Sequence, residues 1–183
     1  MRRLDRVDWV IYHANCPDGM TGAWVAAKTY GRAGITFHAA QYGQPLPYIP
    51  ADASVLMVDF SYPRPILDAL AARCKLWVID HHKTAQADLQ DAPYADFDME
   101  RSGGGLAWDL LQETDNFRPA IVNYTEDRDL WRWALPNSRA ISMWVLTHPY
   151  TLEAWDQIAK KLEHQLEECV ASGNAILGYQ RQM

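Results

Sequence analysis

Four short segments of the 183-residue chain carry residue types able to bind a divalent cation or move a proton. They are His13 with Asp18-Gly19, the single Asp59, the triplet Asp80-His81-His82, and the acidic stretch Glu126-Asp127-Arg128-Asp129. Brought together, these carboxylates and imidazoles would repel and desolvate one another unless a cation neutralised them. Cys16, Cys74 and Cys169 are far apart and in no metal-ligand spacing. A donor set of carboxylates and imidazoles without a thiolate pair favours Mn2+ or another hard-to-borderline ion over a structural Zn2+. Enough carboxylates to share would allow two ions roughly 3.5–4 Å apart, an arrangement that clamps a phosphoryl group and hydrolyses phosphoesters.

What must position these residues is a sheet. The apolar runs Val7 to Tyr12, Gly34 to His38, Ser54 to Val58 and Lys75 to Ile79 are strand-length. The third and fourth are continuous rather than alternating, which indicates strands covered on both faces. Helical patterns separate them, from Met20 to Tyr30 and from Pro63 to Cys74. This order predicts an α/β fold: a doubly wound, mostly parallel sheet with flanking helices. The first strand runs into His13, the third into Asp59 and the fourth into Asp80-His81-His82. Ligands collect beyond the carboxyl ends of such strands, so the clusters converge in one crevice. Beyond Ile79 no further strand is expected. Residues 83–101 read as a polar loop or short helix, and Ser102 as the N-cap of a helix through Leu106 to Leu111. A helix follows from Pro119 to about Trp133, then a break at Pro136-Asn137-Ser138 and a helix to Leu146. One long helix from Leu152 to the C-terminus completes the chain, with Trp155, Ile158, Leu162, Leu166 and Cys169 on one face. The division expected is a catalytic domain over 1–150 and a connector-like C-terminal helix over 151–183.

Tyr12-His13-Ala14-Asn15-Cys16-Pro17-Asp18-Gly19, Val58-Asp59, Asp80-His81-His82 after Leu76-Trp77-Val78-Ile79, and Glu126-Asp127-Arg128-Asp129-Leu130-Trp131 occur in that order. Together they resemble the four motifs of the DHH phosphoesterase superfamily, over residues 12 to about 133. The resemblance implies that His13, Asp18, Asp59, His81 and Asp129 are metal ligands, with Asp59 bridging two ions. It makes Asp80, His81 and His82 the catalytic triplet, Asp80 orienting the site or ligating and His82 donating to the substrate phosphate. Asp129 is favoured over Asp127 in the fourth motif. The implied activity is hydrolysis of phosphoester bonds in nucleotides or short single-stranded oligonucleotides, the class of nanoRNA, pAp and cyclic dinucleotides, by metal-activated water. The implied cofactor is Mn2+, two ions, with Mg2+ or Co2+ as alternatives. A nucleotide-binding regulatory module without turnover, and an inorganic pyrophosphatase-like activity, are the competing readings; the chain has no dense Lys/Arg cluster to serve the latter.

Two departures from the family pattern stand out. Cys16 occupies a position where many members carry an acidic residue, and it either ligates metal or fills a buried strand-to-helix turn. Family phosphodiesterases also usually add a C-terminal substrate-binding domain after a long helix. This chain is therefore expected to be either the catalytic part of a longer protein or a compact variant.

Other segments bear on substrate. In Arg101-Ser102-Gly103-Gly104-Gly105 the glycines would let backbone N–H groups at a helix N-terminus meet a phosphate beside Arg101. Arg101, Ser102, Gly103 and Gly104 therefore join His82 as expected substrate contacts. Tyr42-Gly43-Gln44-Pro45 is either a surface turn or a contact to a base or ribose. The formal charge of −6 excludes a global basic field for gripping duplex nucleic acid. An odd, scattered set of cysteines and no apolar run near the ~20 residues of a membrane span point to a cytoplasmic protein with no membrane partner. Eight tryptophans against four phenylalanines is unusual, and they read as rigid supports for the site's helices or, in one case, a stacking platform.

Overall fold

In a computed structural model, which describes residues 3–112 and 117–180, the chain alternates strands and helices and then turns wholly helical. The elements are β1 (Trp9–His13), α1 (Pro17–Tyr30), β2 (Thr36–Ala40), β3 (Ser54–Val58), α2 (Arg64–Ala71), β4 (Lys75–Asp80), α3 (Lys83–Leu89), β5 (Ala95–Phe97), α4 (Gly103–Leu111), α5 (Ala120–Asp129), α6 (Ser138–Val145), α7 (Leu152–His164) and α8 (Leu166–Gln180). The strands pair in parallel in the order β2-β1-β3-β4-β5. This is the doubly wound arrangement expected from the sequence, with its topological switch point between β1 and β3.

Alternate residues of the central strands feed two separate cores. Val10, Leu56, Val58, Trp77 and Ile79 pack with α1, α4 and the C-terminal helices. Ile11, Val55, Met57, Leu76 and Val78 pack with α2, α3 and Ile49. Every residue of β3 is buried, which is why its run reads as continuously apolar.

The structure departs from the expected elements in several places, and the helix expected from Pro119 to about Trp133 ends at Asp129, because Trp131 and Trp133 take left-handed backbone at φ 56° and 52°. A fifth strand, Ala95–Phe97, pairs with Val78–Asp80. It is three half-buried residues at a sheet edge, too short to leave a periodic signal. The second strand lies at Thr36–Ala40, two residues beyond the start of the run expected from Gly34. The single long C-terminal helix is two helices, because Gln165 leaves helical geometry at φ −138° and ψ 37°. Its backbone N–H closes α7 on Lys161 and its carbonyl accepts from Cys169 in α8. The chain can then fold back so that α8 crosses α6 at Gly173, where a Cβ would stand 2.9 Å from the Ala140 Cα. Residues 181–183 of the expected helix, and residues 1 and 2, lie outside the described residues.

The C-terminal helices are a layer of the same core rather than a tail. Trp155 is fully buried in the α1-side cluster, and its indole N–H donates to Thr21 Oγ1 at 3.0 Å. Among the described residues no helix is long and apolar enough to cross a membrane.

Candidate metal centre

The clustered residues arrive at the switch point from six elements. His13 is the last residue of β1, Asp18 lies in the first turn of α1, Asp80 ends β4, His81 and His82 lead into α3, and Asp129 ends α5. Asp59 follows β3 in the left-handed region, at φ 58°. That conformation is uncommon for a non-glycine residue and typical of positions where surrounding structure imposes the geometry.

Around His81 Nε2 stand Asp59 Oδ1 at 3.2 Å, Asp129 Oδ2 at 3.4 Å and Asp18 Oδ2 at 3.7 Å. His13 Nδ1 is 3.6 Å from Asp59 Oδ2. Three groups of donor atoms lie within 4.8 Å of one another: His13, Cys16 and Asp59; Asp59, His81 and His82; Asp18, His81 and Asp129. Asp59 belongs to two of them, and a carboxylate with its two oxygens can serve neighbouring ion positions, whereas the His81 imidazole, also in two groups, has one nitrogen there and can serve one ion. The residues fit a metal on a second count. His13 Nδ1, Asp18 Oδ2 and Asp59 Oδ2 are buried with no hydrogen-bond partner. Buried polar atoms are otherwise almost always paired, and here three orphans belong to a single cluster.

The electrostatics agree. Burial first, then the Asp59 and Asp129 carboxylates, pushes Asp18 well above the usual carboxylate range. Burial, followed by Asp59, also raises Asp129. Burial opposes the Asp59 charge, yet the His13 and His81 imidazoles beside it hold its carboxyl below the usual carboxylate range. Burial works against the His81 cation, yet Asp59, Asp18 and Asp129 push it up to about 9. Without a cation the site thus holds protons that a metal would displace.

Asp80 is fully buried and stands behind the cluster, in none of the three donor groups. Its Oδ1 accepts from the His81 backbone N–H at 2.7 Å, the His82 N–H at 3.3 Å and His82 Nδ1 at 2.7 Å. Its Oδ2 accepts from Ser61 Oγ at 2.6 Å. Asp80 therefore orients His82, leaving Nε2 of that ring for another partner, and its hydrogen bond holds His82 above the ordinary imidazole value. These contacts are those of the orienting one of the two roles left open for Asp80.

The glycine run has a different use from the one expected. Gly104 N–H donates to Asp18 Oδ1 at 3.0 Å, and Gly105 N–H to the Ser102 hydroxyl that caps α4. A Cβ on Gly103 would stand 2.5 Å from Asp59 Cβ and 2.7 Å from its Cα. The N-terminus of α4 therefore presses on two acidic ligands, and its positive dipole end favours their charge. This corrects the expectation that Ser102 and Gly104 contact a substrate phosphate: the first is buried as a cap and the second is committed to Asp18.

Arg101 is engaged in ion pairs, with its buried Nε unpartnered. Its guanidinium pairs with Glu126 Oε1 at 3.0 Å and Asp109 Oδ2 at 2.6 Å. Glu126, to which the sequence reading assigned no role, is a buried hub. It also accepts from Arg118 through both oxygens, at 3.2 and 3.0 Å, and has Arg132 at 3.7 Å. Its partners come from positions 101, 118 and 132, at no spacing that a sequence pattern would reveal. Asp127, the alternative to Asp129, accepts from the backbone of Ala134 and Leu135 at 2.9 and 3.3 Å. It holds a turn in which Trp131 and Trp133 sit at φ 56° and 52°. Trp131 is 71 % exposed and meets Trp133 edge-on at 5.0 Å. Trp24, Trp77, Trp144 and Trp155 are buried supports.

Cys16 faces the His13 and Asp59 donors. Burial first, then the Asp59 and Asp18 carboxylates, pushes its thiol up, so it stays protonated when no cation is near.

Fold and site together define a doubly wound α/β protein with a carboxylate–imidazole centre at its switch point. No protein-family model matches the chain. It is 26 % identical, over 97 % of its length, to an uncharacterized protein of Acanthamoeba polyphaga mimivirus, of which it spans 45 %. Its fold is similar, with a TM-score of 0.61 and 12 % identity, to the crystal structure of an uncharacterized Helicobacter pylori protein. That match covers 92 % of this chain and 54 % of the other. The chain thus spans about half the length of the relatives it matches.

Proposed function

We propose that the protein is a divalent-metal-dependent phosphohydrolase of the DHH phosphoesterase type, acting on phosphoester bonds of nucleotides or short single-stranded oligonucleotides. The observation that carries this reading is the set of three unpartnered buried ligand atoms, on His13, Asp18 and Asp59, in one cluster at the switch point. His13, Asp18, Asp59, His81 and Asp129 would hold one or two ions, Mn2+ being the choice that the donor set favours. Such ions supply Lewis acidity toward a phosphoryl group and lower the pKa of water. His82 then donates from Nε2 to a phosphate oxygen, its ring fixed and its proton retained by Asp80. Asp59, rigid against Gly103, keeps the shared ligand position from drifting. Three free cysteines support a cytoplasmic setting.

The test is a panel of Mn2+-supported assays on pAp, dinucleotides, cyclic dinucleotides and pyrophosphate, with His81→Ala and Asp59→Asn as controls. Both variants should retain the circular-dichroism spectrum and lose turnover. Native-level turnover in both refutes the assignment. Cys16, standing as a thiol beside His13 and Asp59, favours a second reading: a nucleotide-binding regulatory module. Tight nucleotide binding without product at any Mn2+ concentration would select it.

A further inference from the structure

Beside the metal centre, the loops that follow β2 and β3 enclose a cleft of about 390 Å3, walled by Tyr42, Gln44, Phe60, Tyr62, Pro63 and Ile66. A second cleft of about 200 Å3 shares Tyr42, Ser61, Tyr62 and Pro63 and extends toward Thr84 on α3. The larger volume is at the small end of ligand pockets, and walls of aromatic and aliphatic groups with few polar ones are typical of them. Tyr42 joins this cleft to the catalytic cluster. Its ring centroid is 5.4 Å from that of His13, 6.2 Å from His82 and 4.7 Å from Phe60. Phe60 is buried at 1 % exposure and backs the ring, while Tyr42 itself remains 56 % exposed. A half-exposed aromatic ring packed on a buried neighbour loses little conformational entropy when a planar ligand stacks on it.

Tyr62, 4 % exposed, lines both clefts and gives them a buried aromatic wall, and the exposed Gln44 amide at the larger one offers both a donor and an acceptor to a planar ligand.

We infer that this cleft is a nucleobase subsite, in which Tyr42 stacks on the base of a nucleotide whose phosphate lies at His82 and the metal ligands. The inference rests on the phosphohydrolase reading and narrows it: the substrate is a nucleotide recognised by its base, not a bare phosphate ester or pyrophosphate. Stacking of this kind tolerates every base because each has a π face. The other occupant that the same walls would admit, an apolar group lacking a phosphate, would not exploit the closeness of Tyr42 to His13 and His82.

The test compares AMP with ribose 5-phosphate, which keeps the phosphate and sugar and lacks the base. Both are titrated by calorimetry into Mn2+-loaded protein, and the Ile66 δ1 methyl is followed in 1H–13C spectra. AMP is expected to bind about 5- to 150-fold tighter, the range that one stacked base contributes, and only AMP should move the Ile66 methyl. Tyr42→Ala should bring the affinity ratio toward one. Ile66→Arg, at a partly exposed wall position, should do the same by filling the cleft, and it serves if the first variant misfolds. Equal affinities for the two probes, or an AMP preference that survives both substitutions with the Ile66 methyl unmoved, overturns the base subsite and leaves the metal-centre reading standing. Failure of both probes to bind in the presence of Mn2+ overturns both.

Discussion

Gly103→Ala is the sharpest test of how the site is held. The added Cβ would stand 2.5 Å from Asp59 Cβ, 2.7 Å from its Cα and 2.8 Å from Oδ1. Carbon atoms sit comfortably about 3.5–4.0 Å apart, so something must yield by about 1 Å. Neither side yields cheaply. Gly103 is the first residue of α4, whose next N–H holds Asp18, and Asp59 has a left-handed backbone directly after a fully buried strand. Overpacking of this kind costs about 1–3 kcal/mol, a fraction of the roughly 5–15 kcal/mol that holds a domain together. The variant should therefore fold with a lowered melting temperature. The displacement falls on the ligand that two donor groups share, so Mn2+ affinity should fall by about the same energy, roughly 5- to 150-fold. A misplacement of about 1 Å is enough to cost about 100-fold in turnover. The assays are a Mn2+ titration, a thermal melt and the hydrolysis panel. Gly178→Ala is the control. Nothing lies within 4 Å of a Cβ there, and an alanine in α8 should stabilise by up to about 1 kcal/mol without touching Mn2+ binding. If Gly103→Ala binds Mn2+ and turns over within twofold of the native protein, α4 does not brace Asp59 and the argument fails.

Other outcomes follow from the same geometry. Mn2+ affinity should rise steeply between about pH 6 and pH 9, because the ion must displace a proton from His81, raised to about 9, and from the raised Asp18 and Asp129; titrations that give one affinity across that range refute this. In the metal-free protein, the stability contributed by the His81 cation is complete below its unfolded value of 6.5 and is lost as pH rises through about 9. Melting temperature should accordingly decline over that interval, and a flat profile would count against the assigned contacts. Asp80→Asn keeps the shape and removes the charge that raises His82, so the His82 resonance should titrate at lower pH and turnover should drop about 10- to 100-fold. Unchanged titration would place the cause of the shift elsewhere. Glu126→Ala strands the Arg118 guanidinium and leaves Arg101 with Asp109 alone, and should cost about 3–5 kcal/mol in urea denaturation. A loss below about 0.5 kcal/mol would show that water replaces the hub.

Much of the fold is legible along the chain, because a strand buried on both faces must be written as an unbroken apolar run. Val55 to Val58 and Leu76 to Ile79 are such runs, and both are central strands. The edge strand Ala95–Phe97 is half-buried and three residues long, so nothing in its composition distinguishes it from a loop. The break at Gln165 is equally silent locally: it serves a packing partner, α6, that ends at Val145, far back along the chain. At the site, Asp127 and Asp129 carry the same carboxylate two positions apart, and the turn after α5 gives them different partners. Asp127 reaches forward along the chain to the Ala134 and Leu135 amides, and Asp129 across the site to His81.

The sequence alone therefore determines which groups can meet: a parallel sheet brings the ends of its strands to one edge, and here those ends are His13, Asp59 and Asp80. It does not determine what each group does on arrival. A carboxylate, an arginine or a run of glycines is chemically able to serve a metal, a phosphate or the protein itself. Burial and partners settle the matter, and both are properties of distant segments. Asp80 is occupied by Ser61 and the two histidines that follow it, and Arg101 by Glu126 and Asp109. Gly104 is occupied by Asp18, while Asp18 and Asp59 each keep one buried oxygen unpaired. Only the tertiary structure separates the spent groups from the unspent ones, because a hydrogen bond is made by atoms close in space whatever their separation along the chain.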